Sequence, residues 1–190
     1  MRLRLLPPAL AVLLAAAPAL AATAATAPAP AREVVASLLA RAKASGRAPL
    51  VLFHASWCGW CRKLEKTLSS PEVKPIVEKH FETAWLQVQE RAAKKALENP
   101  GGNELLATWG GGDAGLPFYA VLDAKGAVVA SALMKGPDGK AAGASGFPGT
   151  TEEIDHFLAM VRKGAPRISQ AELDTLRKAF PVLVPSGSAR

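Results

Sequence analysis

Residues 50–61 read LVLFHASWCGWC, an apolar run that ends on two cysteines. Leu50 to Ala55, led by Pro49, is a short apolar run with Val51 and Phe53, which suits a strand buried on both faces. From Trp57 to Ser69 the pattern switches to helical spacing, with Leu64 and Leu68 four residues apart. The switch falls on Trp57-Cys58-Gly59-Trp60-Cys61, which holds both cysteines of the chain. A Cys-x-x-Cys at a helix start sets the first sulfur beside free backbone N–H groups and the positive end of the helix dipole. Both favour thiolate, so Cys58 is expected to have a depressed pKa and to be the nucleophile. Cys61, one turn further in, is expected to be less exposed and to resolve a mixed disulfide on Cys58. Arg62 and Lys63 add positive charge nearby.

Outward from this junction the chain alternates helix and strand. Upstream, Val34, Val35, Leu38, Leu39 and Ala42 share one helical face over 33–45, and Gly46 stops the helix. Downstream, Ser70-Pro71 reads as the N-cap and first residue of a further helix. Residues 81–88 alternate as a strand, 91–98 are helical, and Asn99-Pro100-Gly101-Gly102 turns the chain into a short helix over 104–109. Residues 116–122 and 126–133 read as strands joined by Asp123-Ala124-Lys125-Gly126, a hairpin-length connection. Residues 136–149 read as a loop rich in glycine, alanine and serine. Thr150 with Glu153 and Ser169 with Glu172 form capping boxes for two final helices. A βαβ half followed by a ββα half describes an α/β sandwich with a mixed sheet.

LVLFHASWCGWC resembles the strand and active-site loop of thioredoxin-like proteins, and Gly115-Leu116-Pro117 opens a later strand as that family's cis-proline does. The resemblance covers about residues 33–163. WCGWCRKLE together with Ser70-Pro71-Glu72-Val73 is similar to the exported branch that includes the C-terminal domain of the transmembrane thiol-disulfide transporter. It implies a thioredoxin-like three-layer sandwich, a mixed central sheet flanked by helices, here with an extra C-terminal helix. It also implies that Pro117 is cis and packs against the cysteine loop, leaving the Leu116 backbone to pair with an extended substrate. Trp57, Gly59 and Trp60 would line that groove. The chain departs from thioredoxin at three places. Its dipeptide is Gly59-Trp60, Leu52 stands where thioredoxin has a buried aspartate, and the lysine that would pair with that aspartate falls near Trp85. Glu65, four residues after Cys61 on the same helical face, is the candidate proton acceptor instead.

The domain plan reads as a signal peptide over 1–21, a flexible Ala/Thr/Pro tether over 22–31, a thioredoxin-like domain over 32–163, and a helical extension and tail over 164–190. Arg2 and Arg4 precede an apolar stretch from Leu5 to Ala17, and Ala19-Leu20-Ala21 offers a cleavage site. The expected location is periplasmic or secreted. The formal charge of +7 falls to +5 without Arg2 and Arg4, and no basic block argues for nucleic acid. Two cysteines in 190 residues exclude a disulfide scaffold. His54, His80 and His156 lack zinc-site spacing with the cysteines, so no metal is expected. No phosphate loop, dinucleotide fingerprint or GxSxG is present, so no cofactor is expected and electrons come from outside the chain.

The function expected is an exported thiol-disulfide oxidoreductase that reduces or exchanges client disulfides through Cys58 and Cys61. Its partners would be client proteins and a redox partner such as a membrane thiol transporter. The alternative is a binding or chaperone module in which Cys58–Cys61 is a structural bridge.

Overall fold

A computed structural model describes residues 27–136 and 138–183. The expected signal segment, residues 22–26 of the expected tether, and residues 184–190 lie outside them. Strand β1 (Ala48–His54) is buried from Pro49 to Phe53. It is central in a four-stranded sheet of order β2-β1-β3-β4, with β2 being Phe81–Gln87, β3 Phe118–Leu122 and β4 Val128–Ser131. β1 runs parallel to β2 and antiparallel to β3, and β3 pairs antiparallel with β4. The apolar run was legible because a central strand with both faces covered has no polar side to alternate with.

Helices cover both faces. Phe53 and its β3 partner Phe118 point to one side, where Phe53 meets Trp109 edge-on just after α4 (Gly102–Thr108). Helix α1 (Ala31–Ser45) shares a groove with α4. Leu52 and its partner Tyr119 point to the other side, where Tyr119 meets Phe157 of α5 (Thr151–Gly164). On that side α2 (Gly59–Leu68) and α3 (Lys74–His80) form a cleft with Leu52 and Trp85. Helix α6 (Gln170–Ala179) adds Leu173 and Leu176 to the same core, and Phe180 follows it there. Both capping boxes form as the sequence indicates, Thr150 with Glu153 and Ser169 with Glu172.

Four local readings change. Helix α3 begins at Lys74, and Ser70 instead accepts from the N–H groups of Val73 and Lys74 in a turn. A helix continuous from Pro71 would need an N–H at residue 75 to bond the Pro71 carbonyl, and Pro75 has none. Residues 91–98, read as an ordinary helical stretch, hold a 3-10 helix, Ala92–Leu97. The glycine-rich stretch read as a loop contains β6 (Ala141–Ala144), paired antiparallel with β5 (Leu133–Lys135). Alanine and glycine carry little strand signal of their own. Tertiary contacts hold this hairpin instead: the Ser145 N–H donates to Ala132 O at 2.9 Å, and the Ser145 hydroxyl bonds the buried Tyr119 hydroxyl. Finally, Ala31, read as the end of the tether, opens α1 and is buried. Its N–H donates to Pro100 O at 2.8 Å, and Asn99 Nδ2 donates to Ala29 O at 2.8 Å.

Candidate active site

The sheet delivers its central strand to the cysteines. β1 ends at His54, and Ala55 O accepts the Cys58 N–H at 3.0 Å, turning the chain into α2. Cys58 is the N-cap of α2, and its Sγ accepts the Cys61 N–H at 3.0 Å. Cys58 and Cys61 form a disulfide with an S–S distance of 1.98 Å. They cluster with Ala55, and Leu116 packs against them. The Leu116–Pro117 peptide bond is cis. Cys58 and Cys61 are equally buried at 2 % exposure, which corrects the expectation of a more exposed Cys58. Local helix position gave Cys58 the outer place, but both cysteines lie in one buried cluster with Ala55, against which Leu116 packs from the β3 side.

Trp57 and Trp60 flank the disulfide and stay 42 % and 50 % exposed. Each is held from one side. Trp57 Nε1 donates to Gln89 O at 2.7 Å. Trp60 stacks on Phe147 with ring centroids 5.6 Å apart and planes 25° apart. Phe147 in turn contacts Phe180, so the segment after β6 and the end of α6 back the active-site loop together. Neither Gln89 nor Phe147 carried a local sequence signal, since each is brought in by a distant element.

Glu90 is a third site residue that the sequence analysis did not single out. It follows β2, is 3 % exposed, and accepts from the Ser56 N–H, from Ser56 Oγ at 2.8 Å and from Gln87 Nε2 at 2.7 Å. Burial pushes its carboxyl up, but the donors on Ser56 and Gln87 together with Lys94 outweigh this and hold it below the usual range. The one available signal was its place just beyond the carboxyl end of the strand parallel to β1, where α/β sites gather.

A carboxyl depressed in the folded state stabilises fully above its unfolded pKa, near 4.3, and loses that contribution as pH falls through the native value. Glu90→Gln is therefore expected to cost about 1–3 kcal/mol at pH 7, from weakened bonds to the Ser56 loop. The gap between wild type and variant should close as pH drops below about 4. Urea unfolding at both pH values checks this, and an equal gap at both would remove the charge of Glu90 from the account.

Glu65 is exposed on α2 and lines the cleft with Leu52 and Trp85; it has no hydrogen bond to either cysteine. Leu52 and Trp85 are direct partners across β1 and β2. His54 is half-buried with its ring 5.1 Å from that of Trp85. Burial lowers its pKa, partly opposed by the charges of Glu65 and Glu90. The three histidines lie apart. His80 Nε2 is 3.2 Å from Glu172 Oε1, and His156 Nε2 donates to Ser131 O at 2.8 Å. Among the described residues no cluster of metal-ligating side chains is found, and no helix is long and apolar enough to cross a membrane.

Residues 31–124 match a family model described as thioredoxin-like. Comparison with curated proteins finds no match. Among solved structures, the chain is similar to a disulphide isomerase from Xylella fastidiosa Temecula1, at 24 % identity and TM-score 0.46, over 82 % of this chain and 98 % of that one. It is similar to a DsbH oxidoreductase at 22 % identity and TM-score 0.45, over 77 % of this chain and 95 % of that one. It is also similar to the oxidised C-terminal domain of DsbD from Neisseria meningitidis, at 23 % identity and TM-score 0.37, over 54 % of this chain and 81 % of that one.

Proposed function

The chain carries a thioredoxin-like domain over residues 31–124, and on that premise we propose that Cys58 and Cys61 are a redox-active pair that reduces client disulfides. The observation that carries this is the place of Cys58 as N-cap of α2, with its sulfur accepting a backbone N–H and two exposed tryptophans on either side. A thiolate there gains a donor and the positive end of the helix dipole, which favours the charged, nucleophilic form.

In the proposed cycle, the reduced Cys58 thiolate attacks one sulfur of a client disulfide. The client S–S bond breaks, a mixed disulfide forms, and one client thiolate leaves and takes up a proton. Cys61 then loses its proton and attacks Cys58 Sγ, the mixed disulfide breaks, and the second client thiolate leaves. Two electrons pass from the pair to the client, and an external dithiol restores them. Glu65, one turn beyond Cys61 on α2, is proposed to take the proton from Cys61. Leu116, Pro117, Gly59 and the two tryptophans are proposed to line the client groove. Export to the periplasm or outside, supported by the signal pattern of residues 1–21, would place the pair where disulfides form. Its electron source would be a membrane thiol transporter or another thioredoxin-like protein.

The 2 % exposure of both cysteines favours a second reading, a binding module with a structural bridge. An insulin assay separates them. With dithiothreitol as electron source, the oxidoreductase is expected to bring on precipitation of the insulin B chain well before dithiothreitol alone does. No acceleration leaves only the structural bridge.

A further inference from the structure

Four cations surround the cysteine loop, each held against it. Arg62 Nη1 donates to Ser56 O at 3.0 Å, and Lys94 Nζ lies 3.3 Å from Ser56 Oγ. Lys63 Nζ sits 5.0 Å from the Trp60 ring centroid and 4.7 Å from that of Phe147. The Arg91 guanidinium sits 5.8 Å from the Trp57 ring. They arrive from two separate elements, α2 and the segment after β2.

Among the described residues none of these four makes a salt bridge, although Arg41, Arg47, Lys79 and Arg177 elsewhere on the chain all do. Glu90 offsets part of the charge of Lys94 and Glu98 pairs with Lys95, which leaves Arg62, Lys63 and Arg91 without a salt-bridge partner among the described residues. Glu90 is buried beneath the loop, with its oxygens taken up by Ser56 and Gln87. Glu65 and Asp113 are exposed, on the outer turn of α2 and on the loop before Leu116. The face around Cys58 and Cys61 therefore combines two exposed indole rings with an excess of positive charge.

We propose that this face docks a redox partner protein carrying aspartate and glutamate side chains beside its own cysteine pair. The proposal rests on the thiol-disulfide reading of the site. Cations already seated over rings or against the oxygens of Ser56 lose little further freedom when an acidic partner arrives. Their common sign steers such a partner in and repels a basic one. The rings between them supply apolar area for the segment next to the partner's cysteines. The attraction acts over roughly 10 Å at 0.1 M salt, so it must weaken steeply as salt rises.

The test uses three disulfide-bridged peptides of one length and ring size, flanked by Asp/Glu, by Ser/Gly or by Lys/Arg. Their reduction by the dithiothreitol-reduced, desalted protein is followed, and each rate is divided by that with mercaptoethanol to remove intrinsic reactivity. The acidic peptide should exceed the basic one by roughly tenfold or more at low salt, with the ratio falling towards one at about 0.5 M. In the Arg91→Gln/Lys94→Gln variant the low-salt ratio should drop severalfold. The wild-type salt series needs no variant to fold. A ratio at or below one, or one that ignores salt, overturns the proposal while the neutral peptide is still reduced. If the neutral peptide is not reduced either, the thiol-disulfide reading itself fails, and the docking proposal with it.

Discussion

Cys58→Ser is expected to abolish disulfide reduction, by at least roughly a thousandfold, because a serine hydroxyl in this position cannot replace a thiolate as the attacking atom. Cys61→Ser is expected to fail differently. Its Cys58 can still attack, so the client stays bound through Cys58 as a mixed disulfide. Non-reducing gels and intact mass should then show one client chain added to the Cys61→Ser protein and none added to Cys58→Ser. The asymmetry follows from position on α2. Cys58 caps the helix and receives the Cys61 N–H, while Cys61 lies inside the first turn. Normal turnover by Cys61→Ser would remove the two-cysteine cycle. Trapping by Cys58→Ser instead would exchange the roles of the two residues.

Phe53→Ala should be the most damaging single truncation in the core. Phe53 is fully buried in the central strand, with its ring edge-on to Trp109 at 5.6 Å and to Phe118 at 5.9 Å. One partner, Trp109, follows α4 in the helix layer and the other, Phe118, is fixed in the neighbouring strand β3, so the two cannot close freely over the space. Such a cavity costs about 3–5 kcal/mol, against a total stability of about 5–15 kcal/mol. In urea the midpoint of the oxidised protein should fall by roughly 1–2 M with the slope unchanged. A shift under about 0.3 M would mean that the site collapses freely and that β1 is not the rigid support of the cysteine loop. The truncation lies five residues before Cys58, so loss of packing there is also expected to loosen Ala55 and the loop that it anchors.

Much of this was legible in the chain. LVLFHA announced a strand buried on both faces, and the two cysteines at the change of period marked a helix start, because each depends only on neighbours within a turn or a few residues. The capping boxes at Thr150 and Ser169 were readable for the same reason: donor and acceptor are three residues apart. The resemblance to thioredoxin-like proteins rested on the same local stretch, and the family match over 31–124 spans it.

Neighbouring residues therefore carry the order of elements outside the β5–β6 hairpin, the cysteine pair at the mouth of α2 and the two tryptophans beside it. Distant contacts set the equal burial of the two cysteines, with Leu116 packed against their cluster, and the place of Glu90 beneath Ser56. They also decided that Phe147 and Phe180 back Trp60, that Ala141–Ala144 is a strand, and that cations from α2 and from after β2 meet around one loop. The physical reason is range. Periodicity and capping are written in adjacent residues, whereas burial, stacking and the sum of charges at a surface depend on which distant segments the sheet brings together, and no single stretch of chain records that.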